Sequence, residues 1–348
     1  MEIEKLNDGN KDEWNTFCLK SSDAWFRHTT YWMDYILSCR FDSNSVNHSF
    51  LIRQNKEIVA VVPLISQYCY LNRDINEFAN YDTPTPYWAL KNDNKNINKH
   101  EIIGFIQTEI EKIASDNNIK KWSFFIDPLM ANNWLDNFEY YNLLKYGYNY
   151  KIKTTNILDI TFPEEMILAG MRKGHKADIK RALKDNDIRI DCVDSSCNYV
   201  NEAFIEFKKI HAIDAGRQTR TDSSWACQLS WLLNGYAVLV LAWSKSLNRY
   251  VCGAFIIMYK NHAYYGSFAT INAELNNAIL GHLIQWHGIK YMKSKNVKKY
   301  ETGWNYYRSS FEHESNEKLI QISKFKGGFG GKEAILLEYI ITPPLPQI

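Results

Sequence analysis

The chain has 348 residues, 45% hydrophobic and 14% aromatic, enough for one large or two ordinary domains with a substantial buried core. Lys and Arg total 41 against 39 Asp and Glu, a net charge of +2, so no global field draws the chain to DNA or to an anionic membrane surface. The seven cysteines are odd in number and form no C-x-x-C pair, which argues against a disulfide framework or a zinc ribbon and for a reduced, cytoplasmic setting.

The first residues, Met1 to Asp8, lack the apolar core of a signal peptide, and no apolar run approaches the ~18 residues of a membrane span. Apolar residues at helical spacing predict helices within residues 11–40. Residues 49–53 and 57–65 read as a strand pair around the polar turn at Gln54-Asn-Lys56. A turn-rich stretch follows at Asn80-Tyr-Asp-Thr-Pro-Thr-Pro-Tyr-Trp88, then an amphipathic helix over 99–117 and strands at 121–127 and 148–159.

A second unit begins near Phe162. Residues 163–184 read as one basic helix, 189–193 as a strand, and 199–215 and 222–234 as helices. Strands are predicted at 237–243, 250–259 and 262–269, a helix at 280–295, a strand from 298, a short helix at 316–324 and a last strand at 334–342. The two halves share this order of elements without sharing residues, which predicts an α/β fold of two related domains, each a mixed sheet flanked by helices.

Several stretches carry charge or unusual chemistry. Ser323-Lys-Phe-Lys-Gly-Gly-Phe-Gly-Gly-Lys332 resembles a phosphate loop in composition only. The template needs Gly where Lys326 stands and Ser or Thr where Glu333 stands. The residues fit a helix C-cap at Gly327-Gly328, with Lys324 and Lys326 on the helix dipole. A lysine aimed from a helix end at a developing oxyanion is the other reading, and local sequence favours the cap. Arg172, Lys173, Lys176, Lys180 and Arg181 load one helix with cations, either a solvated face or a phosphate-binding one. Arg217 and Arg220 occupy a loop between helices ahead of Trp225, and their planar guanidinium forks suit a diphosphate or carboxylate. His282 and His287 are five apart, off the spacing of two metal ligands on one helix face, so no metal site is expected.

Taken in order, these stretches resemble the FemAB-like branch of the GNAT acyltransferase superfamily, which includes the Fem-type aminoacyl-tRNA-dependent peptidyltransferases of cell-wall synthesis and related acetyltransferase domains. The resemblance runs from Phe26-Arg-His-Thr-Thr-Tyr-Trp32 through Asn80-Tyr81-Asp82, Ile126-Asp-Pro128, the basic helix, Gly216-Arg-Gln-Thr-Arg220, Tyr264-Tyr-Gly-Ser267 and Tyr300-Glu-Thr-Gly303 to Phe325-Lys-Gly-Gly-Phe329. It implies two tandem GNAT-like domains, residues 1–155 and 156–333, with the terminal strand 334–348 returning to the first. It also implies amide formation, in which an acceptor amine attacks an activated acyl carbonyl.

By the same resemblance, Lys326 stabilises the oxyanion, and Asp127 is a cleft carboxylate able to take the amine proton. Arg220 and Arg217 grip the diphosphate of a nucleotide-linked acceptor. Tyr264, Phe325, Trp225, Tyr81 and Asp82 line the substrate. Asn277 and Gly281, in a turn that partly matches the acyl-CoA pyrophosphate motif, meet the donor. Acyl-CoA, in the first instance acetyl-CoA, is the expected donor and aminoacyl-tRNA the alternative; the expected state is monomer or homodimer. The match departs after Trp32, where Met33-Asp34-Tyr35 replaces a diphosphate-binding lysine of Fem ligases, and it lacks their coiled-coil arm. Both departures argue against a murein-pentapeptide acceptor.

Overall fold

The computed structural model describes residues 1–39, 45–68, 76–80, 83–92, 98–130, 142–271, 277–307 and 317–341. The chain divides into two compact units, Met1–Lys153 with Leu336–Ile348, and Thr154–Ile335.

Unit 1 opens with β1 (Glu2–Lys5), α1 (Lys11–Lys20), a 3₁₀ turn at Phe26–His28 and α2 (Thr30–Ser38). The helices predicted within residues 11–40 are these two, and Thr29 starts the second: its hydroxyl accepts from the Trp32 N–H. β2 (Val46–Asn47), β3 (Phe50–Gln54), β4 (Glu57–Val62), β5 (Ile65–Tyr68), β6 (Asn76–Phe78), β7 (Thr85–Pro86) and β8 (Ala89–Leu90) follow. The β3–β4 turn places both Asn55 and Lys56 at positive φ, the conformation of a tight hairpin. One sheet runs β1-β3-β4-β8. α3 (Lys99–Asp116) is capped by the Asn98 side chain and buries Ile102, Ile103, Ile106 and Ile110 on one face, as its 3.6-residue period requires. β9 (Lys121–Phe125) pairs in parallel with β6, and antiparallel with the 338–341 part of the last strand. Leu337 and Tyr339 from that strand join Phe50, Trp88, Ile106 and Phe124 in the unit's main core.

β10 (Asn149–Asp159) leads into unit 2. Residues 163–184 form two helices, α4 (Glu164–Gly170) and α5 (Lys173–Ala182), rather than one. The break falls at Met171-Arg172, just after Gly170, and the Arg172 N–H is taken by the carbonyl of Gly328. β11 (Ile188–Val193), α6 (Val200–Ala215), α7 (Asp222–Leu233), β12 (Ala237–Ser244), β13 (Arg249–Tyr259), β14 (His262–Thr270), α8 (Asn277–Ser294), β15 (Lys299–Trp304), α9 (Glu317–Gly327) and β16 (Lys332–Ile341) complete the order. The sheet of this unit runs β11-β12-β13-β14-β15-β10. Residues 237–242 of β12 are all buried, since helices cover both sheet faces and a strand so placed reads as a continuous apolar run. Phe207 of α6 stacks on Phe255, while Gly288 of α8 lies against Ile256, which points the other way. No described helix is long and apolar enough to cross a membrane.

Candidate functional site

The sheet of unit 2 opens between β14 and β15. The two strands pair in parallel only at His262↔Lys299, Ala263↔Tyr300 and Tyr264↔Glu301. Past that point β14 stays with β13, and β15 stays with β10. Both diverging strands carry an extra residue at the parting: Gly266 is skipped opposite Phe255/Ile256, and Thr302 opposite Asn156/Ile157. Bulges of this kind re-aim a strand and end its pairing. The gap lies at the carboxyl ends of two parallel strands, where open α/β sheets place ligands.

Lys326 is aimed at this gap. It sits in the last turn of α9, and its Nζ lies so close to Gly303 that a Cβ there would be 2.7 Å from the ammonium. Gly303 also has φ +101°, a conformation side chains avoid, so glycine is required on two counts. Burial pushes the Lys326 ammonium below the usual lysine range, and the nearby Glu301 pulls it partly back. Glu301 is fully buried and accepts a hydrogen bond from Thr155 Oγ1 at 2.9 Å. A cation in so dry a setting interacts with a developing negative charge far more strongly than it would in water.

The helix end that carries Lys326 is clamped. His175 Nε2 donates to the Phe325 carbonyl at 2.8 Å, and its Nδ1 then accepts from Arg172 Nη2 at 3.2 Å. Burial holds this ring below the ordinary histidine range, so it stays neutral. His175, His282, Phe325 and Phe329 pack as one ring cluster: the two imidazoles meet edge-on with centroids 4.2 Å apart, Phe325 and Phe329 meet edge-on, and His175 is tilted on Phe325. Gly328 leaves no room for a side chain, since a Cβ would fall 2.3 Å from the His175 ring. Gly281, in the first turns of α8, packs against the Phe325 ring. Gly281 and Phe325 thus touch beside the helix end that carries Lys326, Tyr264 stands at the last paired position of β14 before the strands part, and Asn277 starts α8.

A second cluster sits between α6 and α7. The Arg220 guanidinium lies 4.8 Å over the buried Trp225 ring, and its Nη1 donates to His211 Nε2 at 2.8 Å. His211 then carries its proton on Nδ1 and donates to Thr219 Oγ1 at 3.2 Å. Burial, and then the Arg220 charge, push the His211 pKa down to about 4. Arg220 is therefore held flat with one edge fixed, while Arg217 is exposed.

In unit 1, Asp127 is fully buried. Its Oδ2 accepts from Arg27 Nη1 at 2.7 Å and its Oδ1 from the Leu129 N–H at 2.9 Å. Arg27 is sandwiched by Trp25 and Phe125 at 4.9 and 5.7 Å. Tyr81 and Asp82 lie outside the described residues. Among the described residues, no three His, Cys, Asp or Glu side chains gather as a metal-binding group.

Sequence reasoning passed over His175, His211, Glu301 and Gly303 as working parts. Glu301 and Gly303 stand inside the quoted Tyr300-Glu-Thr-Gly303, but His175 and Glu301 act through partners about 150 residues away, and Gly303 and His211 through segments that fold back on them, so no local spacing marks them.

The parted strands of unit 2 and the order of elements through both units belong to a fold that the chain shares with solved tandem GNAT structures. The crystal structure of FemX superposes with a TM-score of 0.69 over 99% of this chain and 98% of that one, at 14% identity. L-PGS from Bacillus licheniformis follows at 0.61, 9% identity, over 99% and 94%. A tandem GNAT protein from the clavulanic acid biosynthesis pathway gives 0.54 at 10% identity, over 99% of each chain. No protein-family model and no curated protein sequence matches the chain.

Proposed function

We propose that the protein is an N-acyltransferase. It forms an amide between an activated acyl donor, acyl-CoA, and an amino group of a nucleotide-linked sugar or other cell-surface glycan precursor. The observation that carries this reading is the desolvated Lys326 ammonium set against Gly303 where β14 and β15 part. In this role Lys326 stabilises the oxygen of the tetrahedral intermediate, and the rigid α9 end fixes its aim. Arg220 and Arg217 take the acceptor's phosphates, with Trp225 and His211 presenting Arg220. Asp127 is assigned to ordering Arg27, since both its oxygens are already engaged.

The test is turnover of acetyl-CoA with amino-sugar nucleotides. Lys326→Ala is expected to lower kcat by ~10²-fold or more; a well-folded variant with near-unchanged turnover would remove Lys326 from the reaction. A second reading, transfer from aminoacyl-tRNA, is favoured by exposed cations, Arg172 just before α5 and Lys173, Lys180 and Arg181 on it, and by the likeness to the fold of FemX. Activity that RNase abolishes and that needs no CoA decides for it.

A further inference from the structure

Beside the Lys326 turn, unit 2 holds a cavity of about 440 Å³ lined by Asn156, Asn305, Tyr306, Tyr307, Lys324 and Glu333, among others. Its polar groups are wired together. Asn156 Nδ2 donates to Asn305 Oδ1 at 2.8 Å, which fixes the orientation of that amide. Asn305 Nδ2 then donates to Glu333 Oε1 at 3.0 Å and to Thr154 Oγ1 at 3.1 Å. Thr154 Oγ1 in turn donates to Glu333 Oε1 at 3.1 Å, and so takes its other hydrogen bond from the Tyr307 hydroxyl, 3.1 Å away.

Two donors therefore hold one oxygen of Glu333, and among the described residues none is given to the other, Oε2. Nor does Glu333 or Lys324 form an ion pair among the described residues, although both line the same cavity. Both side chains are exposed at the cavity; a carboxylate anchored by one oxygen, with an unneutralised cation lining the same cavity, is complementary to a ligand of mixed charge.

We propose that this cavity is a binding site for a primary ammonium on a ligand that also carries an anionic group. Glu333 Oε2 receives the ammonium and Lys324 the anion, with Tyr306 and Tyr307 as the aromatic wall. The site names the class of acceptor amine, and in that respect it rests on the acyl-transfer reading; as an ammonium site it stands without it.

The experiment is calorimetric titration of the full chain with two matched pairs that differ only in ammonium against hydroxyl: glucosamine 1-phosphate with glucose 1-phosphate, and alanine with lactate. The ammonium member of at least one pair is expected to bind about tenfold or more tighter, and the pair that shows it separates an amino-sugar phosphate from an amino acid as the source. Glu333→Gln, which keeps an oxygen for Asn305 and Thr154, is expected to erase the preference. Lys324→Met is expected to weaken both members alike. Equal affinity within both pairs, no binding of any probe, or a preference that survives Glu333→Gln overturns the proposal. The wild-type comparison needs no variant to fold. An ammonium preference without turnover of any acyl donor sinks the acyl-transfer reading and leaves the site. Turnover without the preference does the reverse.

Discussion

Asp127 and Arg27 form an ion pair with side chains 0% and 8% exposed. Removing one charge of such a pair strands the other in a dry interior. Asp127→Asn is therefore expected to cost about 3–5 kcal/mol in urea unfolding, and replacing both partners by apolar residues to restore much of it. If Asp127 were instead the proton acceptor, turnover would collapse with little change in stability.

His211 gives a pH signature. Its folded-state pKa of about 4 lies below its ordinary value of 6.5, so between these values the unfolded chain binds the extra proton. Stability is then complete above about pH 6.5, falls as the pH drops toward 4, and levels off below it. The partly exposed ring reduces the loss to on the order of 1–2 kcal/mol. Denaturant midpoints measured from pH 7 to 4 should flatten in His211→Gln, whose amide oxygen can still accept from Arg220. The arginine and the tryptophan of this cluster are legible in the sequence as a guanidinium-rich loop. The histidine that orients them is not, because its role appears only when α6 and the following loop fold against each other.

At the scale of elements, the site depends on where helix ends and strand ends meet. Gly303→Ala adds a Cβ 2.7 Å from Lys326 Nζ at a φ of +101°. The backbone strain is expected to cost about 1–3 kcal/mol, and the displaced ammonium to return toward the normal lysine pKa. The pH dependence of Lys326 acylation by a general amine reagent reads that shift without any assay of turnover; an unchanged profile would show that Gly303 does not set the lysine's position.

Long periodic elements such as α3, α6 and β12–β14 are plain in the sequence, because their apolar spacing repeats over many residues. β5 to β8, of two to four residues each, are too short to show a period. The break between α4 and α5 falls just after Gly170, a poor helix former, and the Gly328 carbonyl accepting from the Arg172 N–H holds it. α9 runs three residues past the predicted 316–324, to Gly327, where the sequence offers a glycine cap, so Lys326 projects from the last helical turn.

At the scale of the molecule, residues 336–341 belong to unit 1 although they follow unit 2 in the chain. They pair with β9 from Glu338↔Phe125 to Ile341↔Trp122, bury Leu337 and Tyr339 in its core, and bond Lys153 to Glu338 at 2.7 Å. Ending the chain at Ile335 is expected to destabilise unit 1 by more than ~4 kcal/mol, since two large core side chains are lost at once. Hydrogen exchange should show α3 and β9 unprotected while β12–β14 stay protected; uniform loss across both units would mean that they unfold together.

The sequence by itself determined the α/β class, most of the long elements, the basic helix and the lysine- and arginine-bearing stretches, because these rest on periodicity and composition within a few residues. The likeness in fold to FemX and to a tandem GNAT protein agrees with the family resemblance read from the ordered motifs. Only the tertiary structure decided that β14 and β15 part between two bulges, that a neutral His175 clamps the Lys326 turn, and that Asp127 is committed to Arg27. It alone brought Glu333 into a wired cavity beside Lys324. Each of these depends on groups far apart in the chain meeting where water is excluded, and local pattern carries no record of such a meeting.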